Sequence, residues 1–307
     1  MELSREDTGT AAAYWSEQIV QLQTRTVSRI RWWEDETTIR HINSLVGPPD
    51  PPVAHFAFHS RIADFFLGRT GLKAISVGCG MGSKELWLMQ LTNIDRFDLY
   101  DIAPMNIEYG VAEAGRLGFS SSARFFHENA FEEATDTDYD LVYWNNSLHH
   151  MPDVEAAIQW SKNRLKPGGL FAMDDFVGPD RFQWTDNNLE WASKVRASLN
   201  SRLLDNPFSP GTALPIDCGR PTVDEVIAMD PSEAMDSGRI PAVFRKAFPE
   251  GQFIPTGGAL YHLALNDILC NFVSEEDLVC LRQILLLDQM LADNGTTQYA
   301  VAFGVKN

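Results

Sequence analysis

Two adjacent histidines, His149 and His150, lie in the run Ser147-Leu148-His149-His150-Met151-Pro152-Asp153, directly after the strand-like YDLVYWNN. An imidazole titrates near neutral pH, so a histidine placed there can take the proton of a hydroxyl and turn it into a nucleophile. Twenty-five residues past His150, Asp175 ends the next apolar run, GLFAMDDF. If the two runs are neighbouring strands, this carboxylate comes within reach of an imidazole, orienting it and stabilising its protonated form. A plainer reading uses the same residues: structural hydrogen bonds at a loop-to-helix junction for the histidines, and a solvated turn or a cap for Asp174 and Asp175. Asn145, Asn146, Asp174 and Asp175 offer oxygen donors near these strand ends, but they are not a closely spaced acid cluster. No metal is expected.

A second constellation begins at Ile75-Ser76-Val77-Gly78-Cys79-Gly80-Met81-Gly82, between an apolar strand and the helical SKELWLMQL. Glycines at a strand-to-helix turn let the backbone bend tightly and approach a ligand, while the helix N-terminus presents free N–H groups to it. A dinucleotide fingerprint would place its third small residue at Ser83; here the third glycine comes one position earlier, which favours another nucleotide-like ligand over a nicotinamide cofactor. Nineteen residues after Gly82, Asp101 ends the apolar run FDLYD, where a carboxylate can accept hydrogen bonds from both hydroxyls of a ribose. Cys79, with no base near it in sequence, reads as a small space-filling residue.

These residues need a scaffold that delivers them to one edge. Residues 1–72 show helical periodicity without clear strand alternation, interrupted by the breaker GPPDPP at 47–52, and read as a helical N-terminal cap. From Lys73 to Phe176 strand and helix patterns alternate, the signature of a parallel sheet with crossover helices, so residues 73–176 read as the ligand-binding core. The alternation fails in residues 177–251, which carry Trp184, Trp191, Pro-rich turns and a helix expected from Thr222 to Met229. That stretch reads as an insertion covering a site. Residues 252–307 supply the last strands, QFIPTGGALYHLAL and TQYAVAFGV, and between them a helix with a capping box at Ser274 and Asp277. His262 then falls inside an apolar strand as a core histidine.

The 25 Lys and Arg against 42 Asp and Glu leave a net charge of −17, which repels a polyphosphate partner and argues against nucleic acid. Four cysteines without a CxxC pair, no signal-like N-terminus and no long apolar run predict a soluble, cytoplasmic protein without a membrane partner.

Together the glycine turn and the downstream acid resemble the class I S-adenosylmethionine-dependent methyltransferases over residues 73–176, with 252–305 compatible. The resemblance implies an α/β Rossmann-like fold, a mostly parallel seven-stranded sheet with an N-terminal helical cap and a helical insertion before the last strands. It implies S-adenosyl-L-methionine as cofactor: Gly78, Cys79, Gly80 and Gly82 at its methionine part, Asp101 with Ile102 at the ribose, Asn129 with Ala130 and Phe131 at the adenine, and Asn145 beside them. Where the family often carries an acid two residues before the first glycine, this chain has Ser76, which can still form a hydrogen bond. The SLHHMPD run and the strand ending in Asp175 resemble the sugar O-methyltransferases of natural-product biosynthesis, and more loosely a small-molecule branch that includes quinone methyltransferases. This implies His149, His150 and Asp175 beside the acceptor, Tyr14, Trp15 and Trp184 as substrate lid, and a small-molecule acceptor methylated on oxygen. Methylation on nitrogen or carbon, a nicotinamide oxidoreductase and a non-catalytic scaffold are the alternatives, and the family allows a homodimer.

Overall fold

The computed structural model describes residues 5–24, 29, 31–47 and 57–307. Most of the GPPDPP breaker, from Pro48 onward, lies outside the described residues. The chain opens with α1 (Arg5–Thr24), α2 (Glu36–Val46) and α3 (Ala57–Phe65), and then enters the alternating part. There β1 (Leu72–Val77), α4 (Ser83–Leu91), β2 (Ile94–Asp101), α5 (Pro104–Leu117), β3 (Ala123–His127), α6 (Ala130–Glu133), β4 (Tyr139–Asn145), α7 (Val154–Arg164) and β5 (Leu165–Phe176) follow one another. The stretch after β5 carries α8 (Asp186–Ser198), α9 (Val223–Met229) and α10 (Ile240–Ala247), and the chain ends with β6 (Gln252–Gly257), α11 (Glu275–Asp293) and β7 (Tyr299–Val305).

The seven strands form one sheet in the order β3-β2-β1-β4-β5-β7-β6. All pairings among β1 to β5 are parallel, whereas β7 runs antiparallel between β5 and β6. Because β1 lies between β2 and β4, the connections leave it in opposite directions, and a crevice opens beyond the carboxyl ends of β1 and β4. The glycine turn and the histidine run are the segments that follow those two strands. This is the Rossmann-like class I methyltransferase arrangement.

Both sheet faces are covered, which is why the inner strands read as nearly continuous apolar runs. On one face Val77, Val142, Trp144, Phe171 and Met173 pack with Val154 and Ile158 of α7 and with Val243 and Phe244 of α10. On the other, Ala74, Leu141, Tyr143 and Phe97 pack with Phe58 and Ile62 of α3 and Leu86 of α4. A third apolar cluster joins Trp184 and Leu203 to Tyr261, Phe272, Leu281 and Leu285, tying the segment after β5 to α11. Among the described residues no helix is long and apolar enough to cross a membrane.

Local signals account for several element ends. Asp153 caps α7 by accepting from the Ala156 N–H at 3.0 Å, Thr222 and Glu225 box the start of α9, and Ser274 and Asp277 box that of α11. One expectation needs correction: QFIPTGGALYHLAL, residues 252–265, is not one strand. β6 ends at Gly257, where Gly257 and Gly258 adopt φ of 90° and 101°. The buried Asp288 of α11 accepts the N–H groups of Gly258, at 2.7 Å, and Leu260, so the chain turns into the core and His262 lies in that turn. Pro255 is tolerated because β6 is an edge strand.

Candidate active site

The turn after β1 is built for close approach. Gly78, Gly80 and Gly82 have φ of 67°, 55° and 67°, a region that side chains rarely allow. A Cβ on Gly78 would lie 2.8 Å from the Cβ of Ser147, and one on Gly82 would lie 2.7 Å from the Phe125 ring. At Gly80 a Cβ would meet nothing within 4 Å, so the middle of the turn faces open space. Asp101 is fixed against this turn: one carboxylate oxygen accepts the Gly80 N–H at 2.8 Å, and the other accepts the Ala103 N–H at 2.8 Å and the Asn106 amide at 3.2 Å. Burial raises its carboxyl above the ordinary aspartate value, with the backbone donors of Ala103 and Gly80 opposing. Glycines that leave a gap over the backbone, next to a carboxylate and the N-terminus of α4, fit the methionine and ribose ends of S-adenosylmethionine.

Ser76 does not face that gap: its hydroxyl donates to Glu85 Oε1 at 2.7 Å. Glu85, in the first turn of α4, therefore brings a carboxyl to the end of β1, where the sequence has a serine. Burial pushes it up to about 7, against the hydrogen bond from Ser76. Asn129 spends its side chain on α6, accepting the Phe131 N–H at 3.1 Å and donating to Glu132 at 2.9 Å, while Ala130 is buried and the Phe131 ring packs on Trp160. Asn145 accepts from the Lys84 ammonium and from Asn146, and Ile102 follows Asp101 at the mouth of the turn.

Beyond β4 the chain makes a short 3-10 turn, Leu148–His150, and Asp175 organises it. Register pairing of Asn145 with Asp174 puts the two strand ends side by side. One Asp175 oxygen accepts the N–H groups of Ser147 at 2.9 Å and Leu148 at 2.8 Å, and the other contacts His149 Nδ1 at 2.5 Å. The far nitrogen of His149, Nε2, lies 3.2 Å from Glu233 Oε1. Burial alone would lower the His149 pKa, but the Asp175 and Glu233 carboxylates outweigh it and push it up to about 10. Burial likewise works to raise Glu233, and the flanking histidines pull it down to about 2. His149 is thus an imidazolium at neutral pH, donating to a carboxylate on each side.

His150 has the opposite environment. Its ring centroid is 4.1 Å from that of His149, and burial followed by the charge of His149 lowers its pKa below the ordinary histidine value. Its Nδ1 lies 3.0 Å from Ser232 Oγ, and the Trp15 ring meets it edge-on at 5.4 Å. Trp15, on α1, donates its indole N–H to Asp230 Oδ2 at 2.9 Å, and Tyr14 packs against the Trp15 ring. Trp184 stacks on Phe182 at 5.4 Å and meets His262 edge-on. Burial lowers His262 to about 4, and its Nδ1 pairs with the Tyr299 hydroxyl at 2.9 Å.

The structure therefore brings His149, His150, Asp175 and Trp15 together, sets the glycine turn and Asp101 across the crevice, and leaves Asn129 as a cap. The sequence did not reveal Asp230, Ser232, Glu233 and Glu85. Arg181 is a further such residue: it donates its backbone N–H to Ala234 O at 2.6 Å and its guanidinium to Glu233 O at 2.8 Å, which locks the Glu233 backbone in place. Arg181, Phe182 and Ala234 all have left-handed φ, 53°, 56° and 46°, so the backbone is strained where it delivers Glu233. The acid-rich DPSE at 230–233 was visible, but nothing in its spacing tied it to the histidines.

One ligand atom each from His149, His150 and Glu233 lie within 4.8 Å of one another, a separation at which three donors can gather round one cation. In the arrangement described, His149 Nδ1 faces Asp175 and Nε2 faces Glu233, so the two carboxylates take both ring nitrogens of this histidine.

Comparison with known proteins agrees with this architecture. A family model described as a methyltransferase domain matches residues 54–212, just over half of the chain. The chain belongs to that family, as a class I S-adenosylmethionine-dependent methyltransferase of the small-molecule branch. Among curated relatives, 27-O-demethylrifamycin SV methyltransferase of Amycolatopsis mediterranei is 27% identical over 38% of this chain and 43% of its own length. The methyltransferase tpcM of Aspergillus fumigatus is 31% identical over 48% of this chain and 44% of its own. The chain thus spans less than half the length of these relatives. Among solved structures, geranyl diphosphate C-methyltransferase of Streptomyces coelicolor A3(2) covers 100% of both chains with a TM-score of 0.54 at 13% identity, which speaks to the fold alone.

Proposed function

We propose that the chain transfers the methyl group of S-adenosylmethionine to a hydroxyl oxygen of a small-molecule acceptor, with His150 as the general base. The carrying observation is the pair of adjacent histidines beside the glycine turn, His149 held between the Asp175 and Glu233 carboxylates and His150 set against the Ser232 hydroxyl. Bound S-adenosylmethionine supplies a methyl group on a positively charged sulfur, an electrophile that needs no further activation. The chain's own residues then have three tasks. The glycine turn and Asp101 hold the donor. Trp15 and the aromatic side chains beyond it exclude water, which would otherwise compete for hydrogen bonds. His150 takes the hydroxyl proton, which it can do because His149 already carries a fixed charge. His149 and Asp175 shape the turn that presents His150, and the relative named for an O-methylation supports oxygen as the acceptor atom.

The same relatives include sterol 24-C-methyltransferase of Aspergillus fumigatus and phosphoethanolamine N-methyltransferase 3 of Arabidopsis thaliana, so carbon and nitrogen acceptors are the rivals. The test is a panel of hydroxyl, amine and activated-carbon acceptors incubated with S-adenosylmethionine and read by mass spectrometry. O-methylated product from the native chain is expected, with turnover of His150→Gln reduced about 10²-fold or more and cofactor affinity nearly intact. The groups facing His150 are His149, Glu233, Asp230 and Asp175. Since their net effect with burial is a lowered pKa, turnover should hold on acidification and fall only below the pH at which an ordinary histidine protonates. Product methylated only on nitrogen or carbon, or full turnover by His150→Gln, would overturn the proposal.

A further inference from the structure

Asp230, Ser232 and Trp15 form a connected group against His150. Ser232 Oγ lies between His150 Nδ1, at 3.0 Å, and Asp230 Oδ1, to which it donates at 2.7 Å. The direct distance from His150 Nδ1 to Asp230 Oδ2 is 3.8 Å, too long for a hydrogen bond, so the hydroxyl is the link. Asp230 is fully buried and Ser232 nearly so. The turn is rigid: Asp230 Oδ1 also accepts the backbone N–H of Ser232 at 2.8 Å, and Oδ2 takes the Trp15 indole N–H.

A carboxylate oxygen accepts hydrogen bonds and donates none, so the Ser232 proton points to Asp230 and an Oγ lone pair faces the imidazole. A ring nitrogen set against a lone pair must itself carry a proton. We propose that Ser232 and Asp230 are positioning residues that hold His150 as the tautomer protonated on Nδ1, leaving the Nε2 lone pair to accept the acceptor's proton. In water the neutral imidazole prefers the other tautomer, with its proton on Nε2, which would make that nitrogen a donor and useless as a base. When Nε2 takes the hydroxyl proton, the ring becomes an imidazolium whose Nδ1–H stays on Ser232, and the new charge faces Asp230. Docking of α1 supports the same arrangement, because Trp15 occupies Asp230 Oδ2 and leaves Oδ1 to the serine. The inference rests on the reading of His150 as base, but its test needs no acceptor.

The full chain labelled with ¹⁵N-histidine, examined by long-range proton–nitrogen correlation just above neutral pH, reports which ring nitrogen carries the proton. His150, assigned by its loss in His150→Gln, should show a protonated Nδ1 and a bare Nε2. Ser232→Ala should lose the Nδ1 proton signal in favour of Nε2–H, and Ser232→Thr, which keeps the hydroxyl, should retain the native pattern. Asp230→Asn should also lose it, because the serine proton is then free to turn to the ring. A native His150 protonated on Nε2, or an unchanged pattern in a folded Ser232→Ala, overturns the relay. Should the tautomer be as proposed while His150→Gln still turns over, the relay stands and the assignment of the base fails.

Discussion

Replacing Asp175 by Asn tests the electrostatic centre of the site. The carboxylate is fully buried, and its partner His149 is nearly so, which removes the solvent screening that makes most ion pairs weak. Asparagine can still accept the backbone N–H groups of Ser147 and Leu148 through its carbonyl oxygen, but its amide then meets the Nδ1–H of an imidazolium head-on. Breaking a buried pair by removing one partner costs about 3–5 kcal/mol. Glu233 remains 3.2 Å from the other nitrogen and still compensates the charge, so the low end, about 3 kcal/mol, is expected. At about 2 °C per kcal/mol for a chain of this size, the thermal midpoint should fall by about 6 °C. The loss must also depend on pH with a definite sign. The folded His149 pKa is raised, from 6.5 to about 10, so its contribution is complete below pH 6.5 and disappears as pH rises toward 10. Near pH 10 the neutral imidazole can accept from the asparagine amide, and the native and variant proteins should converge. Thermal unfolding of both proteins by calorimetry across that window measures the gap. A gap that stays constant from pH 6.5 to 10, or one below about 1 kcal/mol at its acidic end, would refute the picture of His149 as an imidazolium between two carboxylates.

Two further outcomes follow from the turn and its supports. Asp101→Ala should weaken S-adenosylhomocysteine binding by about 1–3 kcal/mol, roughly five- to 150-fold, through loss of a buried acceptor and of the anchor on the Gly80 N–H; titration calorimetry showing unchanged affinity would remove Asp101 from the cofactor. Gly110→Ala, on α5, places a Cβ 2.2 Å from the Phe125 ring of β3 and should cost about 1–3 kcal/mol in urea unfolding. Phe125→Leu in the same chain should recover part of that loss, and a neutral Gly110→Ala would show that α5 and β3 are not packed this tightly.

What could be read from the residues was whatever chemistry is written locally or follows from parallel pairing. The glycine turn announces itself because no other residue type adopts three left-handed conformations so close together. Asp101 follows from it, since the strand after a crossover lies next to the first. His149 and Asp175 belong together for the same reason: neighbouring parallel strands end at the same edge, and the Asn145–Asp174 register puts them there. Asn129 shows the limit of such reasoning, because a polar residue before a short helix is served equally well by a cap. Glu85 was hidden by a substitution across elements, a serine on β1 completed by an acid on α4, which no spacing rule connects. Asp230, Ser232 and Glu233 were hidden for a different reason. They are brought in by a segment whose path depends on Arg181, Phe182 and Ala234 in conformations that their residue types disfavour, and such strain has no sequence signature.

The division between legible and hidden residues follows a division of labour. The sheet edge supplies the glycine turn, the histidines and Asp175, while the segment between β5 and β6 supplies Glu233, Ser232 and Asp230, which face the histidines from the other side. Two adjacent buried imidazoles cannot both be charged without strong repulsion. By clamping His149 between Asp175 and Glu233, the fold decides which one holds its proton, and the fixed charge at His149 then disfavours a proton on His150. On the reading proposed above, a base is thereby made from a neighbour's acid. Asp175, on the sheet, contributes most to that clamp, and Glu233 adds to it from outside the sheet; on that reading, the same edge joined to a different inserted segment would keep its methyl donor and hold its base less firmly. Under the proposal, the acceptor chemistry of this chain is therefore a property of how residues 177–251 meet the strand ends.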